Sequence, residues 1–331
     1  MRIVMMGTGT FAEPAFEALL ASPYEVVGLV TQPDRMAGQE RGSTRQTGRG
    51  MKNIALEHNL PVLQPDSINT PEGVAALRSL QPDLLVVAAY GQILSKDVLT
   101  VPPRGGINIH ASLLPKYRGA APVVWAIYHG EKTTGVTIIR MTTGLDAGDM
   151  LAQEAIDISF SETAGEVEAR LAPLGARLAL RVIDQLTAGV AKGTPQDKSQ
   201  ATKAPKLTKE HGLIDWGRTA EQVRDHIRAM QPWPTAYTFW HRPGKPPSRV
   251  LITKAAEFPV RYDPAVPAGT PFQDSHFPGS LLVVAGKVNA DERSVVEVYE
   301  LQPAGKRRMA AADFLRGHQP QPGDRLGPET L

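Results

Sequence analysis

The stretch Ile107–Pro122, INIHASLLPKYRGAAP, decides how this chain is read. Gly105–His110 alternates apolar residues as a strand does. It stops at a Ser-Leu-Leu-Pro turn and a Lys-Tyr-Arg-Gly loop, and a helical pattern begins at Pro122. Side chains two apart on a strand point to the same face. Asn108 and His110 therefore share a face at a strand's end, where an amide donor and an imidazole suit a site at which an oxyanion forms.

Working outward, Met1–Met6 reads as a buried strand, Phe11–Leu20 as a helix and Glu25–Val30 as a second strand. A polar, Gly- and Arg-rich loop, 32–50, follows. Then come a helix at Met51–Asn59, a short strand at Pro61–Leu63, a helix at Pro71–Leu80 and an apolar strand at Asp83–Ala89. After the opening strand, Pro122–His129 and Glu162–Leu186 have helical spacing. Thr134–Arg140 and Met150–Ile158 alternate as strands. Strands alternating with helices, most apolar on both faces, predict an α/β fold: a Rossmann-like, mostly parallel sheet with helices on both sides. In such sheets ligands bind beyond the carboxyl ends of strands, where strand order reverses.

The pattern fails across Gly193–Leu207, GTPQDKSQATKAPKL, which is polar with two prolines and reads as a linker between domains 1–192 and 208–331. Beyond it, Ala220–Met230 is helical. Short strands at Ala236–His241, Arg249–Ala255, Ser280–Val284 and Ser294–Leu301 suggest a small, OB-like β-barrel.

The totals agree with two globular domains: 331 residues, 42% of them hydrophobic, with a net charge of +2. Cysteine is absent, which excludes disulfides and thiolate chemistry and fits a cytoplasmic setting. No apolar run reaches the roughly 18 residues of a membrane span, and the first residues already read as strand, leaving no room for a signal peptide. Residues 203–331 hold 18 Lys+Arg against 14 Asp+Glu, and residues 1–202 hold 18 against 20. A modestly basic second half is compatible with a polyanionic partner such as RNA.

Two further motifs call for chemistry. Gly7-Thr-Gly9-Thr-Phe-Ala12 follows a strand and opens a helix, like a dinucleotide turn. The acidic residue expected to close the second strand is missing, however, and a tight turn without a nucleotide is the better explanation. The loop Thr142–Asp149, TTGLDAGD, joins two strands. Its Asp146 either reaches His110 or caps its own loop as an Asx turn. Asn108, His110 and Asp146 together would suit acyl transfer to an amine. Asn108, and a protonated His110, would donate to the oxygen that gains charge, and the carboxylate would hold the ring or move the amine's proton. No metal-ligand spacing competes with them.

SLLPKYRGAAP, the preceding Asn108-Ile109-His110 and the following Gly144-Leu145-Asp146-Ala147-Gly148-Asp149 resemble the signature of formyltransferases that use 10-formyltetrahydrofolate. The resemblance implies that Asn108, His110 and Asp146 are catalytic, and that Ser112, Leu113, Leu114 and Pro115 line the folate site. Further pieces, among them Gln32-Pro33-Asp34-Arg35, Ala204-Pro205-Lys206-Leu207 and Gln231-Pro232-Trp233-Pro234, resemble the methionyl-tRNA formyltransferase family along nearly the whole chain. That implies a donor-binding α/β domain and a barrel that helps hold initiator methionyl-tRNA, with no metal and a monomer expected. The 32–50 loop departs from the family pattern. Its lysine run and Pro-x-Pro are replaced by arginines, so Arg35, Arg41, Arg45 and Arg49 become the candidate tRNA contacts. Trp125 is expected in the core; Trp233 and Trp240 are expected either to pack the barrel or to stack on RNA.

Three rivals remain at this point. One is a formyltransferase of the same donor class acting on an amino-sugar nucleotide or a purine precursor, or hydrolysing the donor. Another is a nicotinamide-dependent oxidoreductase using the Gly7 turn. The third is an RNA-binding module without catalysis.

Overall fold

A computed structural model describes residues 1–34 and 48–330. Two compact units divide the chain. The first comprises Met1–Ala126, Lys132–Phe160 and Gly165–Lys206, and the second Ile127–Glu131, Ser161–Ala164 and Leu207–Leu331.

The first unit carries β1 (Arg2–Gly7), α1 (Glu13–Leu20), β2 (Glu25–Val30), α2 (Met51–Glu57), β3 (Val62–Leu63), α3 (Pro71–Ser79), β4 (Leu84–Ala88), α4 (Lys96–Leu99), β5 (Gly106–His110), β6 (Arg118–Gly119), most of α5 (Pro122–Tyr128), β7 (Thr133–Arg140), β8 (Met150–Asp157), most of α6 (Ala164–Thr187) and β9 (Lys203–Ala204). Its main sheet runs β3-β2-β1-β4-β5-β7-β8. The first five strands are parallel, and β7 and β8 return antiparallel. The Rossmann-like expectation therefore holds, with an antiparallel extension beyond β5. Strand order reverses beside β1, yet the Asn/His pair lies on β5, two strands away. What borders it is the β5–β7 pairing, which sets Thr137 opposite His110.

Residue alternation places helices on both faces. Val4, Met6, Leu85 and Val87 form one core with Val74 and Leu77 of α3 and Val98 of α4. Val87 is the register partner of Asn108, so the polar pair belongs to this face. Ile107 and Ile109 point the other way, toward α6, whose buried Val167, Leu171, Leu174, Leu178 and Val182 recur at helical spacing. Gly175 makes the approach possible: a Cβ there would lie 2.7 Å from Ile109 Cγ2. A glycine inside a helix costs about 1 kcal/mol against alanine. Here it lets the helix press directly beneath the site strand.

Gly193–Leu207 is not a free tether. Most of it, to Lys206, packs within the first unit, where β9 pairs in parallel with β6. Trp125 holds this stretch from α5. Its indole lies against Tyr117 and Ala204, and its Nε1 donates to Pro205 O at 2.8 Å. The polar composition that suggested a linker instead supplies hydrogen bonds to neighbouring loops.

The second unit carries α7 (Ala220–Ala229), β10 (Tyr237–His241), β11 (Ser248–Tyr262), β12 (Pro271–Phe272), β13 (Leu281–Lys287), β14 (Arg293–Pro303), β15 (Met309–Ala310), α8 (Ala311–Leu315) and β16 (Arg325–Gly327). Its antiparallel sheet runs β12-β13-β14-β11-β10-β16. The two ends nearly close into a barrel: Leu326 N–H donates to Gly269 O at 2.7 Å, and Gly269 N–H to Val284 O at 2.7 Å. Closure leaves few free edges. Trp240 is 3% exposed, with Nε1 donating to Asp324 Oδ2 at 3.0 Å, so it packs the barrel and has no free face for a base.

Candidate active site

The site grows from β5. Its pleat turns Asn108 and His110 to one face, Asn108 half-buried and His110 buried. The β7–β8 loop brings in Asp146, whose backbone lies in the left-handed region at φ 46°. Aspartate tolerates that region better than most residues. The Asp146 side chain is 11% exposed and turns away from its own loop, so the Asx-turn alternative falls. Its Oδ1 accepts from Asn108 Nδ2 at 3.2 Å. Its Oδ2 accepts from Gly119 N–H at 2.9 Å and lies 3.6 Å from His110 Nδ1. A carboxylate this enclosed needs such donors, because an unpaired one would be costly to desolvate.

Gly119 is special to this arrangement. Its φ is 129°, and a Cβ would lie 2.4 Å from Ala204 O. Only glycine lets β6 run this close to β9 while aiming its N–H at Asp146.

On the other side of the ring, His110 Nε2 lies 2.9 Å from Tyr117 O. A carbonyl can only accept, so Nε2 carries the hydrogen. Nδ1 is then the nitrogen that can gain or release a proton, and it faces Asp146. This revises the expected division of labour. His110 has no N–H left to aim at an oxyanion, whereas Asn108 uses one amide hydrogen on Asp146 and has a second. The arrangement leaves the ring and carboxylate able to exchange a proton and the amide with one donor to spare.

The SLLP turn is held rigidly from below. Thr137 Oγ1 donates to Ser112 O at 2.6 Å and accepts from Leu114 N at 3.1 Å. Gln153 Nε2 donates to both Thr137 Oγ1, at 2.8 Å, and Leu114 O, at 3.0 Å. Ser112 is fully buried, and its hydroxyl donates to Lys116 O at 2.7 Å. Its hydrogen therefore closes the turn and does not project into a pocket. Leu114 is buried as well. Leu113 and Pro115 keep partly exposed apolar surface.

Of the four arginines expected at RNA, Arg35, Arg41 and Arg45 lie outside the described residues. Arg49 pairs with Glu17 at 2.8 Å and with Glu57, and its N–H donates to Glu13. At the other side of the same loop, Lys52 pairs with Asp34 and holds its carboxyl below the usual range. The Gly7–Ala12 stretch is a tight turn, in which Ala12 N–H returns to Gly9 O at 3.2 Å.

The residues that sequence reading passed over are those that hold the site. Thr137 and Gln153 alternate in ordinary strands. Gln196 sits in the supposed linker, and Arg118 was read only as part of a loop. Nothing local marks them, since their partners are 16 to 78 positions away.

Comparison with known proteins covers both units of the chain. Residues 1–183 match the family described as formyl transferase, and residues 206–319 match the formyl transferase C-terminal domain. Together they place the chain in the class of formyl transferases. A methionyl-tRNA formyltransferase of Chloroflexus aggregans is 44% identical over 97% of this chain and 99% of its own. That of Ruminiclostridium cellulolyticum is 40% identical over 99% and 100%. The chain belongs to the methionyl-tRNA formyltransferase family. In fold it also matches the sugar 3N-formyl transferase WlaRD, solved in the presence of dTDP and 5-N-formyl-THF. The TM-score is 0.62 at 16% identity, over 93% of this chain and 99% of that one.

Proposed function

We propose that this enzyme transfers the formyl group of 10-formyltetrahydrofolate to the α-amine of methionine on initiator methionyl-tRNA, giving N-formylmethionyl-tRNA and tetrahydrofolate. The observation that carries the proposal is the Asp146 carboxylate set between the Asn108 amide and the His110 ring at the carboxyl end of β5, in a chain of this family.

The chemistry follows from those groups. As the amine attacks the formyl carbon, the free N–H of Asn108 is available to the oxygen that gains charge. A preorganised donor of this kind is worth about 2.7–4 kcal/mol in the transition state. The attacking amine loses one proton, and the departing folate nitrogen gains one. His110 Nδ1 with Asp146 is the pair able to carry that proton, while Tyr117 O and Gly119 N–H keep ring and carboxylate aligned. Leu113 and Pro115 offer a stiff apolar wall for the flat pterin, and buried Leu114 and Ser112 shape it from within.

The RNA partner is supported by the family and by the basic balance of residues 203–331. Arg35, Arg41 and Arg45 remain the proposed loop contacts. Arg49, already paired with two carboxylates, anchors the loop's exit. The enzyme acts as a monomer in the cytoplasm, where charged tRNA is found.

The test is incubation with 10-formyltetrahydrofolate and charged initiator tRNA, with a dTDP-amino sugar as a parallel acceptor. Formylmethionyl-tRNA and tetrahydrofolate in equal amounts are expected. Formylation of the sugar alone would move the function to the rival acceptor class.

A further inference from the structure

Gln196 lies in a stretch that is otherwise exposed from Lys192 to Gln200, yet it is half-buried against the site loops. Its side-chain amide is fully used. Nε2 donates to Asp146 O at 2.8 Å and Gly148 O at 2.7 Å. Oε1 accepts from Arg118 Nε at 3.1 Å and Nη2 at 2.7 Å. The opposite amide orientation is excluded, because it would set NH2 against a guanidinium and oxygen against two carbonyls.

These four bonds join two segments remote in sequence. One is the loop whose Asp146 is held at φ 46°. The other is the Tyr117–Gly119 segment, whose carbonyl and N–H orient His110 and Asp146. Arg118 sits between those two groups, so fixing its guanidinium fixes both.

We propose that Gln196 is a positioning residue for catalysis: it clamps the Asp146 loop to the Arg118 segment and thereby sets the distance between carboxylate and imidazole. The inference rests on the formyl-transfer reading above. Gln196 itself touches no substrate and acts through Asp146. A misplacement of about 1 Å at a reacting group can cost roughly a hundredfold in rate.

The experiment is a double-mutant cycle with full-length enzyme, combining Gln196→Met with Asp146→Ala and reading kcat and KM for the folate donor and for tRNA. Q196M keeps the length of the side chain and removes all four hydrogen bonds. The expected result is a fall in kcat of about tenfold or more, with both KM values within about twofold and the fold retained by circular dichroism. In the D146A background, Q196M should cost less than about twofold, since the group it positions is gone. If Q196M does not fold, Gln196→Glu takes its place. It keeps the acceptor toward Arg118, turns the two donations into an oxygen facing the Asp146 and Gly148 carbonyls, and should show the same non-additivity. Normal turnover, a change confined to KM, or an equal factor in both backgrounds would overturn the proposal. If D146A alone retained full turnover, the reading of the site would fail first, and that outcome is separable from a failure of Gln196.

Discussion

Two strand ends of one sheet can be set side by side. At the end of β1, Gly7–Ala12 has the glycine spacing of a nucleotide turn. Ala12 N–H returns to Gly9 O, and the Thr8 hydroxyl is turned toward the end of β2, 3.3 Å from both Thr31 Oγ1 and Gln32 N. At the end of β5 no recognised phosphate turn exists. There an amide, an imidazole and a carboxylate converge within 3.6 Å, with left-handed Tyr117 and Asp146 alongside. Backbone strain of this kind costs of the order of 1–3 kcal/mol per residue and persists where surrounding contacts over-determine it. Glycine spacing describes how a chain turns. Convergent side chains with hydrogen-bonding capacity left over mark a candidate for where it reacts.

The comparison breaks most readily at the second site. Asn108→Ala, His110→Ala and Asp146→Ala should each lower kcat for formyl transfer by about 10²–10⁴-fold, with the fold retained by circular dichroism. Turnover near wild type in all three would reduce the β5 end to a structural cluster. Next in size, Thr137→Val removes the hydroxyl that holds Ser112 and Leu114. It should raise KM for the folate about tenfold, more than it lowers kcat, and cost about 1–3 kcal/mol in urea unfolding. An effect on kcat alone would mean that Thr137 serves the chemistry and not the shape of the turn.

A third expectation concerns the other unit. Burial pushes the His226 imidazole down to about 4, while its Nε2 hydrogen bond to His211 O, at 2.8 Å, opposes the shift. Its Nδ1 is buried without a partner among the described residues. The unfolded chain takes up this proton near pH 6.5 and the folded chain only near 4. Stability is therefore lost as pH falls through that window, by up to about 3 kcal/mol. His226→Gln should flatten the dependence of the urea midpoint between pH 6.5 and 4, and an unchanged slope would remove His226 as its source. The smallest effect is expected at β1. Thr8→Val should leave turnover within about twofold, and titration with NAD(H) should show no saturable binding. Saturable binding lost in that variant would restore the nucleotide reading of the turn.

Much of the scaffold was legible beforehand because it depends on short-range periodicity. Glu25–Val30 is the strand expected from its short apolar run, and Pro71–Ser79 is the helix expected over Pro71–Leu80, opened by a threonine cap and proline in its first turn. The catalytic candidates were legible for the same reason, since Asn108 and His110 share a face by pleat alone. Strand β12, the pair β15 and β16, and helix α8 were not read. They are two to five residues long, too short for a period to register.

The division has a physical basis. Alternation along the chain determined which residues face a core, and hence an α/β sheet followed by a small barrel, together with a same-face Asn/His pair and an acidic loop within reach. Contacts across tens of positions decided the rest: that β7 runs antiparallel beside β5, that Asp146 turns outward from its own loop, that Nε2 of His110 is spent on a carbonyl, and that a polar connector clasps the site. Such contacts carry no local signature, because a hydrogen bond depends on where two groups meet in space and not on what precedes either in the chain.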